Sequence, residues 1–145
     1  MTTTPLNKNR TKDRIKQTGE VFTPRKLVLE MLDKLPEDTW LPEKTFLDNS
    51  CGNGNFIVEI IIRKIEKDLT IIEALETTYG LDLMPDNVED CHKRILDIVG
   101  DTKEYRDIVT HNIVCHDALN GWDYENWCTE EETSTKNMDQ FCSFD

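Results

Sequence analysis

The chain has 145 residues, with 17 basic and 29 acidic side chains and a net charge of -12. This length fits one domain with a sizeable core, and a hydrophobic content of 37% is too high for a fully disordered chain. There is no run of eighteen apolar residues and no apolar stretch after the N-terminal charges, so we expect neither a membrane span nor a secretory signal.

The cysteines are odd in number and include no C-x-x-C pair. They are Cys51, Cys91, Cys115, Cys128 and Cys142. Their spacing matches no disulfide framework, and Cys115, His116 and Cys128 together match no zinc module. We therefore expect a reducing, cytoplasmic setting and no metal site.

Charge is distributed unevenly along the chain. Residues 1–26 hold seven basic and two acidic side chains, whereas the remainder is strongly acidic. The basic residues within 8–16 are able to contact phosphate, which would let this arm touch DNA. No aromatic residue is interleaved with them, which favours a solubilising, mobile terminus instead. The acidic remainder argues against a broad nucleic-acid surface, so DNA binding would need the arm or a second polypeptide.

Helices and short strands alternate along the sequence. Thr23 as N-cap and Pro24 at the first helical position fit the start of a helix, whose apolar residues recur every three to four positions until Pro36. Further on, the pattern predicts strands at 45–48, 78–83 and 110–115, and helices at 56–67, 70–77 and 86–99, the last closed by Gly100. Strands that alternate with helices indicate an α/β fold with a parallel sheet.

Three regions are predicted from these patterns. They are a basic flexible arm at 1–17, a ligand-binding half-domain at 18–119, and an acidic, partly irregular segment at 120–145. In the last region, Trp122, Tyr124 and Trp127 could pack over a cleft or simply cover the edge of the core, and packing is favoured. Residues 141–145 have the pattern of an incipient fourth strand.

A tight loop with the sequence DNSCGNGNF connects the first predicted strand to a strongly apolar helix. Glycines let the backbone approach a ligand, and a helix N-terminus offers unpaired N–H groups. An acid stands at the end of each of the three predicted strands, namely Asp48, Asp82 and Asp117. Because the carboxyl ends of parallel strands meet at one edge, these acids favour a nucleoside that carries an amino group. The loop has no lysine or arginine and lacks the P-loop pattern, which argues against a phosphate tail.

Four segments in chain order, GEVFTP, LDNSCGNGNF, YGLDLMPDNV and CHDAL, resemble motifs X, I, II and III of the gamma-type N6-adenine DNA methyltransferases. These are the methylating subunits of bacterial restriction-modification systems and their phage relatives. The resemblance covers residues 17–119. It implies a Rossmann-like class I methyltransferase fold with a truncated parallel sheet of about three to four strands flanked by helices. It also implies S-adenosyl-L-methionine as cofactor and the cytoplasm of a bacterial host as location.

The resemblance also implies a role for each matching residue. Asp48 would accept the methionine ammonium group, and Asp82 would accept the ribose hydroxyls. Asp117 would accept from the adenine amino group. The other implied cofactor-binding residues are Phe22 and Thr23 over the methionine end, Cys51, Gly52 and Gly54 in the loop, Leu83 and Met84 against the adenine, and Ala118 beside Asp117.

Plainer explanations exist for these residues taken singly. Asp48 alone can cap a helix, and Asp82 and Asp117 alone can be solvated carboxylates at strand ends. Their combination with the glycine loop favours binding. Cys51 stands at a helix N-terminus, which lowers a thiol pKa, so a nucleophilic role is conceivable. No well-placed histidine base accompanies it, which makes packing of the loop the preferred interpretation.

The family's catalytic motif, an Asn, Asp or Ser followed by Pro-Pro and an aromatic residue, is absent from this sequence. The five prolines stand at 5, 24, 36, 42 and 85, and no two are adjacent. The resemblance therefore implies a DNA adenine N6-methyltransferase in truncated or split form that is inactive alone. The alternative is a non-catalytic S-adenosylmethionine-binding or interaction protein derived from such an enzyme.

A truncated sheet has consequences for partners. The first strand would have an open edge that invites pairing with a second polypeptide carrying the catalytic half, or self-association. The apolar helix at 56–67 is expected to lack part of its cover. No membrane partner is expected.

Overall fold

The computed structural model describes residues 23–128. The helices are α1 (Arg25–Asp33), α2 (Asn55–Glu66), α3 (Ile71–Glu76), α4 (Pro85–Val99), α5 (Lys103–Asn112) and α6 (Tyr124–Cys128). A short 3₁₀ helix spans Glu37–Trp40, and the strands are β1 (Phe46–Asp48), β2 (Thr78–Asp82) and β3 (Ile113–Cys115).

The three strands form one parallel sheet in the order β1-β2-β3. Asp48 of β1 pairs with Gly80, and Asp82 of β2 pairs with Cys115 of β3. All three strands therefore end at the same edge, as expected for consecutive β-α-β units. The predicted fold class is confirmed: the chain is α/β with a parallel sheet flanked by helices, consistent with a truncated Rossmann-like methyltransferase fold.

The main core lies between one face of the sheet and the helices α2 to α5. Its fully covered members include Ile57 and Val58 of α2, Ile95 of α4 and Ile113 of β3. A second cluster joins α1 and Trp40 to Phe46 of β1 and to α2. Helices α1, α3 and α4 all contact α2, and four of its apolar residues are buried, whereas Phe56, Ile62 and Ile65 are only partly buried. The expectation that the 56–67 helix would lack part of its cover therefore applies to these three side chains only.

The opposite face of the sheet presents Leu47, Tyr79 and Leu81. The chain covers this face itself with the segment that contains Trp122 and α6, and Trp127 is buried there. The indole Nε1 of Trp127 donates a hydrogen bond to the His111 carbonyl oxygen at 2.8 Å. The expected packing of the three aromatic residues is therefore against the sheet.

Two local expectations are wrong. Residues 110–112 belong to helix α5, which the sequence pattern does not predict, so β3 begins at Ile113 and not at residue 110. Helix α1 begins one residue later than expected, because Pro24 occupies the N-cap position and no side chain caps the helix. The proposed arm at 1–17 and the incipient strand at 141–145 lie outside the described residues.

No helix within residues 23–128 is long and apolar enough to cross a membrane.

Candidate functional site

A pocket of about 420 Å³ opens at the carboxyl end of the sheet. This size is within the range of small-molecule sites. Its lining comes from the ends of β1 and β2, from the residues that follow β3, from the glycine loop and from Thr23, two residues before α1. The lining residues are Thr23, Asp48, Asn49, Ser50, Cys51, Gly52, Asn53, Asn55, Phe56, Asp82, Leu83, Met84, His116, Asp117, Ala118 and Leu119.

The glycine loop has a backbone that only glycine adopts without strain. Gly52 has a φ of +54° and Gly54 a φ of +96°, both in the left-handed region. A Cβ atom on Gly54 would lie 2.6 Å from Sγ of Cys91 in α4. The loop therefore packs directly on α4, and its close approach requires a glycine at this position.

Asp48 ends β1 beneath the loop and is largely buried, with 9% of its surface exposed. Its Oδ1 accepts the Ser50 backbone N–H at 3.1 Å, which turns the chain sharply after the strand. The carboxylate stands on the pocket wall. A buried carboxylate beside an open pocket favours a cationic group as its ligand.

Asp82 connects three parts of the site. Its Oδ1 accepts the Gly52 N–H at 3.0 Å, and its Oδ2 accepts the Met84 N–H at 3.0 Å and Nδ2 of Asn87 at 2.9 Å. A carboxylate offers about four acceptor positions. Three of them hold the loop and the start of α4 in place, which leaves about one, on Oδ1, for a hydroxyl in the pocket.

Asp117 follows β3 and closes a short turn. Its carboxylate accepts the Leu119 N–H at 2.9 Å and Nδ2 of Asn120 at 2.6 Å. These hydrogen bonds, the one to Leu119 foremost, lower the pKa of Asp117 below its usual value. Asp117 is therefore ionised at neutral pH and acts only as a hydrogen-bond acceptor.

The rim of the pocket is apolar. Leu83 and Leu119 are 58% and 88% exposed, and Met84 and Ala118 lie beside them. The hydroxyl of Tyr124 donates to the Ala118 carbonyl oxygen at 2.9 Å and holds that part of the rim. Exposed apolar side chains on a pocket rim are suited to cover the faces of a planar ring.

Cys51 does not have the environment of a nucleophile. Its side chain is buried, and the hydrogen bond with the Cys91 thiol, with burial, raises the pKa of Cys51 well above its usual value. An activated thiol needs the opposite shift. The structure therefore favours the packing role for Cys51.

Nine of the eleven residues named from the sequence line this one pocket. Gly54 lies behind the wall at the start of α2, and Phe22 lies outside the described residues. That these residues hold a cofactor stays a prediction.

Seven further residues line the pocket that the sequence did not point to. They are Asn49, Ser50, Asn53, Asn55, Phe56, His116 and Leu119. Each lies within the loop DNSCGNGNF or the segment CHDAL. Their position in sequence next to predicted site residues is the one feature that could have indicated them. Within residues 23–128 no group of three or more His, Cys, Asp or Glu side chains is arranged to hold a metal ion.

Comparison with known proteins gives one short likeness. A stretch of 45 residues, 31% of this chain, is 40% identical to the type II methyltransferase M.VspI of Vibrio sp. (strain 343) and covers 10% of that protein. No protein-family model matches the chain. The likeness supports a methyltransferase relationship for this chain, and the chain aligns with only a small part of that relative.

Proposed function

We propose that this chain is the S-adenosylmethionine-binding part of a DNA adenine N6-methyltransferase of the restriction-modification type. It would act together with a catalytic motif supplied from outside these 145 residues. The observation that carries the proposal is the meeting of Asp48, Asp82 and Asp117 with the glycine loop around one pocket. The short likeness to a type II methyltransferase supports the same reaction class.

The pocket suits each part of this cofactor. Asp48 matches the methionine ammonium group, and the left-handed glycine at 52 lets the backbone come close to the ligand. The remaining acceptor position of Asp82 takes one ribose hydroxyl. The free acceptor positions of Asp117 match the exocyclic amine of the adenine, and Leu83 covers the ring face. None of these contacts needs a positively charged side chain in the wall, in agreement with a cofactor that has no phosphate.

The bound cofactor would supply an activated methyl group on its sulfonium sulfur. The residues of this chain would orient it, and such positioning provides much of the rate in group transfer. This chain contributes no group to the target adenine, because the Pro-Pro-containing motif that would hold a flipped base is absent from the sequence.

Calorimetric titration of the purified chain with S-adenosylmethionine and with S-adenosylhomocysteine tests this proposal. We expect saturable binding at one site. Replacing Asp48 by Ala should weaken binding at least about tenfold, because a charge-assisted contact contributes roughly 1.5–3 kcal/mol. Asp97, an exposed aspartate on α4 away from the pocket, provides the matched control, and Asp97→Ala should bind like the parent chain.

The absence of any heat of binding, from a parent chain whose circular dichroism shows that it is folded, would overturn the proposal.

A second measurement addresses catalysis directly. The chain alone should transfer no labelled methyl group to adenine-containing DNA. Transfer by the chain alone would disprove the part of the proposal that places the catalytic motif elsewhere.

A further inference from the structure

Arg94 is a buried cation in the third turn of α4, behind the pocket wall. Only 5% of its surface is exposed, and it does not line the pocket. Burial lowers the pKa of Arg94 from its usual value, whereas Cys91, Glu59 and Asp90 act in the opposite direction. Burying a charged guanidinium costs free energy unless hydrogen bonds compensate for the lost water, so the hydrogen bonds of Arg94 are expected to account for its burial.

The guanidinium reaches across from α4 to the glycine loop. Its Nη1 lies 2.7 Å from Oδ1 of Asn55 and 3.2 Å from the carbonyl oxygen of Asn53, with Oδ1 of Asn53 at 3.5 Å. Both asparagines also line the pocket. The Nη1 group of Arg94 therefore holds residues 53 and 55, between Gly52 and the first turn of α2, in place.

The same contact continues to a third segment. Asn55 uses its Oδ1 to accept from Arg94 and its Nδ2 to donate to the Thr23 carbonyl oxygen at 2.8 Å. Thr23 lies on the pocket wall just before α1. Arg94 and Asn55 thus connect α4, which lies behind the pocket, to two segments that line it, the glycine loop and the chain that enters α1.

Lys64, a second buried cation within the described residues, offers a comparison with Arg94 because its contacts lie elsewhere. Lys64 of α2 is fully covered, and its Nζ donates to Oγ1 of Thr77, the Thr77 carbonyl oxygen and Oγ1 of Thr78 at the beginning of β2. Those contacts lie at the opposite end of the sheet from the pocket. Lys64 is therefore a matched control for the general cost of removing a buried charge.

We propose that Arg94 is a positioning residue, which sets the conformation of residues 53–55 and through Asn55 the place of Thr23, and so determines ligand affinity without touching the ligand. This inference deepens the proposed function and rests on it for the nature of the ligand. That Arg94 orders residues 53–55, however, is inferred from its hydrogen bonds alone. This part of the inference can therefore be tested whether or not S-adenosylmethionine binds.

The experiment compares Arg94→Met with Lys64→Met, Arg94→Lys and the parent chain by amide hydrogen exchange and by calorimetric titration with S-adenosylhomocysteine. Arg94→Met should speed exchange at residues 53–56 and weaken binding about tenfold, since hydrogen bonds to a charged group are lost. Lys64→Met should lower overall stability and leave the affinity of the folded protein and the exchange at 53–56 unchanged. Arg94→Lys, which keeps a cation with less reach, should restore part of both losses.

A folded Arg94→Met protein with parental exchange at 53–56 would overturn the inference. So would equal losses of affinity in the two methionine variants, because the effect would then be general destabilisation. If Arg94→Met does not fold, Asn55→Ala carries the test, and unchanged exchange at 53–56 in that variant is the contrary result. If the parent chain does not bind, the proposed function fails, and the exchange data alone decide the role of Arg94.

Discussion

At the scale of single residues, the most informative positions are those where a side chain would not fit. Gly54 combines a left-handed backbone with a gap that Sγ of Cys91 already fills. The glycine in the loop was visible in the sequence, but its partner on α4 was not, because the two residues are brought together only by packing. Cys91 is fully buried, and its Sγ occupies the space that a Cβ atom at position 54 would need. This contact follows from the structure alone.

Gly54→Ala is expected to lower the free energy of unfolding by roughly 2 to 4 kcal/mol. About 1–2 kcal/mol would come from the left-handed backbone, and the rest from the clash with Cys91. Urea denaturation followed by far-UV circular dichroism measures this change.

Gly121→Ala serves as the matched control. Gly121 has a φ of +81°, and a Cβ there would meet nothing within 4 Å. That variant should show only the smaller, backbone part of the loss. Equal losses in the two variants would mean that the contact with Cys91 contributes nothing.

At the scale of elements, the helices differ in how they begin. Thr70 and Glu73 form a reciprocal capping box at α3, and Thr102 caps α5. Helix α2, whose first residue Asn55 lines the pocket, has no side-chain cap, and neither have α1 and α4, which also begin beside the pocket. The capped helices α3 and α5 thus begin away from the site, whereas the helices that begin at the site have no side-chain cap. This division agrees with a ligand approaching the start of α2.

Thr70→Ala should therefore reduce stability without changing ligand binding. We expect a loss of about 1 kcal/mol in the free energy of unfolding, the usual contribution of an N-cap. The affinity for S-adenosylhomocysteine should equal that of the parent, because α3 leads into the amino-terminal end of β2 and the pocket lies at the carboxyl end. A weaker affinity in a fully folded Thr70→Ala protein would contradict this separation of the two ends.

The elements also show where sequence reasoning succeeds and where it does not. Long, strongly apolar segments such as α2 and α4 were predicted within a residue or two of their observed bounds. Helix α5 was missed although Thr102 is a good N-cap and Tyr105, Ile108 and Val109 lie on one face. Its many charged residues obscure the pattern. The strand that follows consists of only three residues, too few to show a period of two, so its start could not be located from the sequence.

At the scale of the whole molecule, the described chain covers both faces of its small sheet. One face is covered by the helices that connect the strands, as the sequence pattern implies. The other is covered by the aromatic segment after β3. Trp127 meets Tyr79 edge-on at 4.9 Å and Trp122 at 5.2 Å between ring centres. The sequence suggested that these rings would pack, but it could not say on which surface, since polar residues separate them.

Trp127→Ala is expected to cost about 3–5 kcal/mol in the free energy of unfolding, because it leaves Leu47, Tyr79 and Leu81 without their cover. Trp127→Phe keeps an aromatic ring and loses the hydrogen bond to His111, so its loss should be clearly smaller. Urea unfolding curves of the two variants and the parent provide the comparison. An unchanged urea midpoint for Trp127→Ala would show that the aromatic segment does not contribute to the fold.

The order of the strands in the sheet also has a consequence for folding of the chain during its synthesis. β2 is the only described strand with a neighbour on both sides, and its partners are residues 46–48 and 113–115. During synthesis β1 therefore leaves the ribosome with nothing to pair with until β2 has followed, and β3 must follow before the aromatic segment has a complete surface to cover. Parallel pairings of this kind form late and slowly. A nascent chain of this protein is consequently expected to expose the apolar side chains of β1 and β2 until residues 113–128 have been made.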